Sequence, residues 1–135
     1  MTRIIYIVVL IFNIFFCNFA WSASQAPFKL GVNRFAWYAS LQTINFMPLA
    51  SADPFSGVII TDWYQVNENE KYKIIVYILE ENLTSNTINV KVFKQIKNSG
   101  VWLDNMVNSS VPLKIEESIL NLARQLRIQY SLRNK

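Results

Sequence analysis

Hydrophobic and polar positions change their rhythm twice along this chain. Residues 4–16 form an apolar run broken only by Asn13, with Arg3 the single charge among the first 24 residues. Beyond residue 32 the pattern turns periodic. Trp37, Tyr38, Leu41 and Ile44 recur at three- and four-residue steps, while Asn33, Ala36, Ser40 and Thr43 share the other side. That spacing predicts an amphipathic helix, capped by Asn33 and stopped by Pro48. The following stretch, Leu-Ala-Ser-Ala-Asp-Pro-Phe-Ser-Gly at 49–57, joins small and turn-forming residues to a proline and reads as a loop.

β-Branched and aromatic residues then take over. Residues 58–64 predict a first strand, a polar turn follows at 67–70, and residues 72–79 predict a second strand. Because residues 74–79 are apolar on both faces, the second strand belongs in the middle of the sheet, with a helix covering one side over part of its length. In 88–96, Ile88, Val90 and Val92 alternate with Asn89 and Lys91, which predicts one buried and one wet face. Asn98-Ser99-Gly100 turns the chain into a short fourth strand at 101–103.

Helical spacing returns near Ser110 and Pro112. Ile115, Ile119, Leu122, Leu126 and Tyr130 mark a buried stripe, with Glu116 and Glu117 early and Arg124, Arg127 and Arg133 late, the charge order a helix dipole favours. A helix of about 19 residues is about 28 Å long and spans a strand of about eight residues. The expected fold class is therefore α+β. Residues 25–135 form a single domain with a helix, an antiparallel three- or four-stranded meander and a C-terminal helix, both helices on one face of the sheet. No repeat of solenoid period and no low-complexity linker divides it.

Composition has to be corrected for the leader. Of 135 residues, 52% are hydrophobic and 16% charged, and the first 24 supply much of that excess. A basic start, a short apolar core and small residues at Ala20, Ser22, Ala23 and Ser24 have the layout of a secretory signal peptide, cut after Ser22 or after Ser24. The alternative is an uncleaved inner-membrane anchor, since residues 4–21 approach the roughly 20 residues a spanning helix needs. Lipidation of Cys17 is disfavoured by Phe15 and Phe16, which stand where a lipoprotein peptidase wants small residues. The expected location is the periplasm or another exported destination, with membrane contact only through the N-terminal segment if it stays uncleaved.

The chain has no histidine, and Cys17 is its one cysteine. A mature chain therefore has no disulfide, no thiol nucleophile and no imidazole or thiolate metal site, and it lacks the commonest general base. No cofactor is expected. The net charge of +4 is too small to argue for nucleic acid. The sequons at Asn82 and Asn108 follow from abundant asparagine.

Carboxylates are the remaining chemistry. Asp53 precedes Pro54 and reads as a turn residue bonding its own backbone; Asp62, beside Trp63, reads as a solvated strand residue or a partner of Arg34 or Lys73. Converging on a cleft, the two would instead make an acid–base pair. Ser51 and Lys73 lack the Ser-x-x-Lys spacing of a serine–lysine pair. Glu80 and Glu81 are adjacent and face opposite ways, so they do not share a metal ion easily. The pairs Trp37-Tyr38 and Trp63-Tyr64 fit a core or a binding surface. Lys91 and Lys97 share a strand face that Lys94 opposes, and such lysines protect an edge or touch anionic lipid.

The segments Leu30-Gly31-Val32-Asn33-Arg34, Trp37, Ala39, Leu41, and then 46–64 with its Ala52-Asp53-Pro54-Phe55 core, resemble a bacterial family known as domain-of-unknown-function family 3576. Residues 73–78, 90–95 and 123–128 resemble it too. The resemblance implies an alphaproteobacterial protein of one fold, exported with a signal peptide or a lipoprotein signal, and it carries no assigned activity. The leader agrees with the first form and departs from the second. The favoured function is a non-catalytic binding or accessory module that takes an envelope protein, lipid or cell-wall component through residues 51–55 and nearby aromatics. Its candidate residues are Arg34, Ser51, Asp53, Phe55, Asp62 and Trp63. A carboxylate-dependent hydrolase acting on an envelope substrate is the alternative.

Overall fold

Asn33 opens the first helix from the position its sequence context assigns. Its Oδ1 accepts from the backbone N–H groups of Phe35 and Ala36, both at 3.0 Å, which satisfies two of the donors a helix start leaves without partners. Its Nδ2 donates to the Glu81 carbonyl at 2.7 Å, tying the helix start to the loop after the central strand. The structure, a computed structural model, describes residues 31–134; the leader, Cys17 and both cleavage positions lie outside the described residues.

Helix α1 (Arg34–Thr43) ends before Pro48 is reached, with Ile44 as its C-cap. Its buried side also differs from the expected stripe. Ala36, Trp37, Ala39 and Ser40 are buried, whereas Tyr38 is 61% exposed. The reason is close approach. Small side chains let α1 lie against the C-terminal helix α2 (Ser110–Arg133), and Ser40 joins them because its hydroxyl donates to the Ala36 carbonyl at 2.8 Å. At 24 residues, α2 is longer than expected, about 36 Å against about 30 Å for the nine-residue central strand Glu70–Ile78. Ile119, Leu120 and Ala123 are its buried positions, while Tyr130 at the end of the predicted stripe is half-exposed.

Among the described residues, six strands form one antiparallel sheet. They are β1 (Leu49–Asp53), β2 (Val58–Thr61), β3 (Tyr64–Asn67), β4 (Glu70–Ile78), β5 (Ile88–Asn98) and β6 (Val101–Asn105). The order is β1-β2-β4-β5-β6, and β3 pairs β4 beyond the end of β2. The α+β class, the meander and the two helices on one face agree with the sequence pattern. The strand count exceeds three or four for two reasons. Residues 49–53, expected in a loop, pair with β2 although every one of them is exposed, so no hydrophobic alternation marks them. The stretch expected as one strand at 58–64 is divided, because the register against β4 slips by one residue across Asp62 and Trp63.

β4 is central. Ile74, Val76 and Ile78 are buried on the helix side against Ile59, Ile88, Val90 and the buried positions of α2. Fully buried side chains such as Ile59, Val76 and Ile119 contribute about 1.5–3 kcal/mol each.

Candidate functional site

Successive strand residues point to opposite faces, so the burial of Ile74, Val76 and Ile78 under the helices assigns the alternate positions to the other face. Carried across the ladders, the register places Val58 and Ile60 of β2, Lys71, Lys73, Ile75 and Tyr77 of β4, and Lys91, Phe93 and Lys97 of β5 together on it. Trp102 of β6 joins them opposite Lys97. Neither described helix covers this face. An apolar strip therefore runs across it, flanked by lysines, with Phe93 46% exposed.

The aromatic rings organise the charge. The Lys71 ammonium lies 5.0 Å from the Trp63 ring centroid and 4.4 Å from that of Trp102, and Lys97 lies 5.8 Å from Trp102. These are cation–π distances. Lys94 stands apart, as its parity predicts: it forms an ion pair with Glu70 and lies over Tyr72 on the helix side. The Lys94 hydrogen bond holds the Glu70 carboxyl below the usual carboxylate range, and Glu70 in turn raises Lys94. At the margins of the open face, Asp53 ends β1 and Asp104 accepts from Gln95 Nε2 at 2.7 Å on β6.

The sequence-derived candidates divide. Trp63 is on this site. Ser51 and Asp53 lie on exposed β1, in register with Ile60 and Val58. Asp53 is a turn residue: its Oδ1 accepts from Phe55 N–H at 2.9 Å, and the Ser56 hydroxyl followed by that N–H keeps its carboxyl below the usual range. Phe55 is exposed on the same turn. Asp62 accepts its neighbour's N–H, from Trp63 at 2.7 Å. Arg34 ties down neither aspartate; its guanidinium lies 4.7 Å from the Phe35 centroid and 4.1 Å from that of Tyr130, where it joins α1 to α2.

Asp53 and Asp62 stand at opposite ends of β2, since Asp53 pairs with Val58 while Asp62 follows Thr61. The intervening strand is about 13 Å long, so the two carboxylates do not form an acid–base pair. Among the described residues, no three Asp or Glu side chains gather as a metal ion would need. No described helix is long and apolar enough to cross a membrane.

Sequence reasoning missed Lys71 as the cation between Trp63 and Trp102, and Phe93 on the same sheet face. Their shared parity on neighbouring strands was a usable signal, but only with the register in hand.

A family model described as a domain of unknown function, DUF3576, matches residues 30–128. The uncharacterised protein RP420 of Rickettsia prowazekii (strain Madrid E) is 38% identical over 99 residues, covering 72% of this chain and 59% of that protein. The chain thus spans about three-fifths of that relative's length. No solved structure matches the chain.

Proposed function

The chain belongs to the DUF3576 family, which brings no activity with it, and we propose that it is a non-catalytic binding module of the bacterial envelope. The module rests its open sheet face on an anionic phospholipid surface. The observation that carries this is Lys71 between Trp63 and Trp102, on a face that also holds Lys73, Lys91 and Lys97. Tryptophan favours the headgroup level of a bilayer, where its ring is half apolar and its N–H is wet. Each lysine near an anionic leaflet contributes about 1 kcal/mol, so four supply about 4 kcal/mol. The signal-like leader supports an exported, periplasmic location for such a module. The domain then has a membrane contact of its own, separate from the leader.

Sedimentation with vesicles tests the reading. The full chain is mixed with phosphatidylcholine vesicles lacking or containing about 30% phosphatidylglycerol, and the Lys71→Glu, Lys91→Glu double variant is run beside it. Expected are tighter binding to the anionic vesicles, loss of that difference at about 1 M salt, and at least about tenfold weaker anionic binding by the double variant. The leader is present in both proteins, so their difference isolates the sheet face. Equal binding of wild type and variant overturns the reading.

A further inference from the structure

The outer side of β5 is only half occupied. β6 pairs with residues 94–98, so residues 88–93 form a sheet edge among the described residues. The backbone direction at that edge follows from the register. Ile74 donates its N–H to Thr61 Oγ1 at 2.8 Å and Ile78 donates to the Gly57 carbonyl at 2.8 Å, both on the β2 side. Their β5 partners are Val92 and Ile88, with Val90 between them opposite Val76. In an antiparallel ladder these are the non-hydrogen-bonded pairs, so Ile88, Val90 and Val92 turn N–H and C=O away from β4.

One of these outward donors already has an acceptor. Val90 N–H donates to Glu116 Oε1 at 2.7 Å, a carboxylate from α2 standing where a neighbouring strand's carbonyl would stand. Glu116 does not lie in the first turn of α2, and its part here is to guard an edge rather than to complement the dipole. Along the same edge runs a cleft of about 770 Å³, with Pro112 and Leu113 of α2 on one side and Lys91 and Phe93 on the other.

We infer that this edge accepts an extended segment of a partner protein as an added strand, with a peptide carbonyl replacing Glu116 at Val90 and the next backbone pair closing on Val92. Backbone groups spaced along a strand edge are complementary to another strand's backbone, and alternate side chains of the incoming segment then meet different walls. Those on the helix side meet Leu113 of α2, which asks for apolar residues. Those on the other side meet Lys91, which asks for acidic ones. The partner segment therefore alternates apolar and acidic residues, and Glu116 keeps the edge closed to indiscriminate pairing until it arrives. This site shares Lys91 with the lipid contact and otherwise uses backbone groups and the wall of α2, and a peptide titration without vesicles reads it separately.

Titration of the isotope-labelled full chain with the capped peptide Val-Glu-Val-Glu-Val-Glu, followed by amide NMR and hydrogen exchange, tests the inference. Expected are a shift of the Val90 amide and slower exchange at Val92. A peptide N-methylated at alternate residues loses at least about tenfold in affinity, because it cannot complete the ladder. Glu116→Ala binds about tenfold more tightly once the competing carboxylate is gone, and Lys91→Glu, which leaves the edge backbone alone, binds about tenfold more weakly. Absence of binding, indifference to N-methylation, or weaker binding by a folded Glu116→Ala overturns the proposal.

Discussion

Thr61 ends β2 by presenting its Oγ1 to the backbone N–H of Ile74, at 2.8 Å in the fully buried interior. The contact falls where β2 stops pairing and the register slips before β3 begins, so a side chain completes the ladder where the backbone leaves it. Thr61→Val keeps the shape and removes the acceptor, leaving a buried N–H without a partner. It should cost about 1–3 kcal/mol in urea unfolding, and Thr61→Ser should recover part of that loss.

Gly57 and Gly100 both have positive φ, at 72° and 84°, but their surroundings differ. A Cβ on Gly57 would lie 2.5 Å from the Ile78 carbonyl oxygen and 2.6 Å from Val32 Cγ1, while one on Gly100 meets nothing within 4 Å. Gly100→Ala should cost only the backbone conformation, about 1 kcal/mol. Gly57→Ala adds a backbone clash and should cost about 3 kcal/mol or more, which thermal unfolding of the two variants will compare directly.

The Glu70–Lys94 pair gives stability a defined pH window. Glu70 is depressed by Lys94, so its contribution is present above the ordinary carboxylate pKa and lost as pH falls through the lower folded value. Lys94 is raised by Glu70, so its contribution is present below the ordinary lysine pKa and lost as pH rises through the higher folded value. The pair contributes fully between the ordinary values of 4.5 for the glutamate and 10.5 for the lysine. Both groups are solvent-accessible, so the effect is modest. Glu70→Gln should flatten the acid limb of a plot of urea midpoint against pH, and Asp53→Asn should do the same, since its depressed carboxyl has the same sign.

Arg34 is a clamp between helices. Its guanidinium lies over Phe35 of α1 and Tyr130 of α2, and such contacts at accessible sites contribute about 0.5–1 kcal/mol. Arg34→Ala should lower the melting temperature by a few degrees and leave binding to anionic vesicles unchanged. A loss of vesicle binding with unaltered stability would place Arg34 at the lipid site instead.

Local chemistry was legible wherever one element carried its own signal. Asn33 is the N-cap, residues 74–78 are central, and Lys94 opposes Lys91 and Lys97. β1 was not legible, because all five of its residues are exposed and only the ladder to β2 holds it extended. Of the stripe expected on α1, Trp37, Leu41 and Ile44 do face the core, but Tyr38 does not, and Ala36 and Ser40 were assigned to the other side, because close helix packing selects small residues that hydrophobic periodicity underweights. Asp53 was legible as a turn residue. Its imagined convergence with Asp62 was not, since nothing local tells which end of a strand a carboxylate occupies.

By itself, the sequence determined the α+β class, the helices at both ends of the described domain, the central place of β4 and the absence of histidine. These follow from periodicity, capping and composition, all of which act over a few residues. Only the tertiary structure decided that Lys71 sits between Trp63 and Trp102, and that Glu116 faces the free edge at Val90. Both depend on strand register and on where α2 crosses the sheet. Those are set by packing between segments distant in sequence, and no local pattern encodes them.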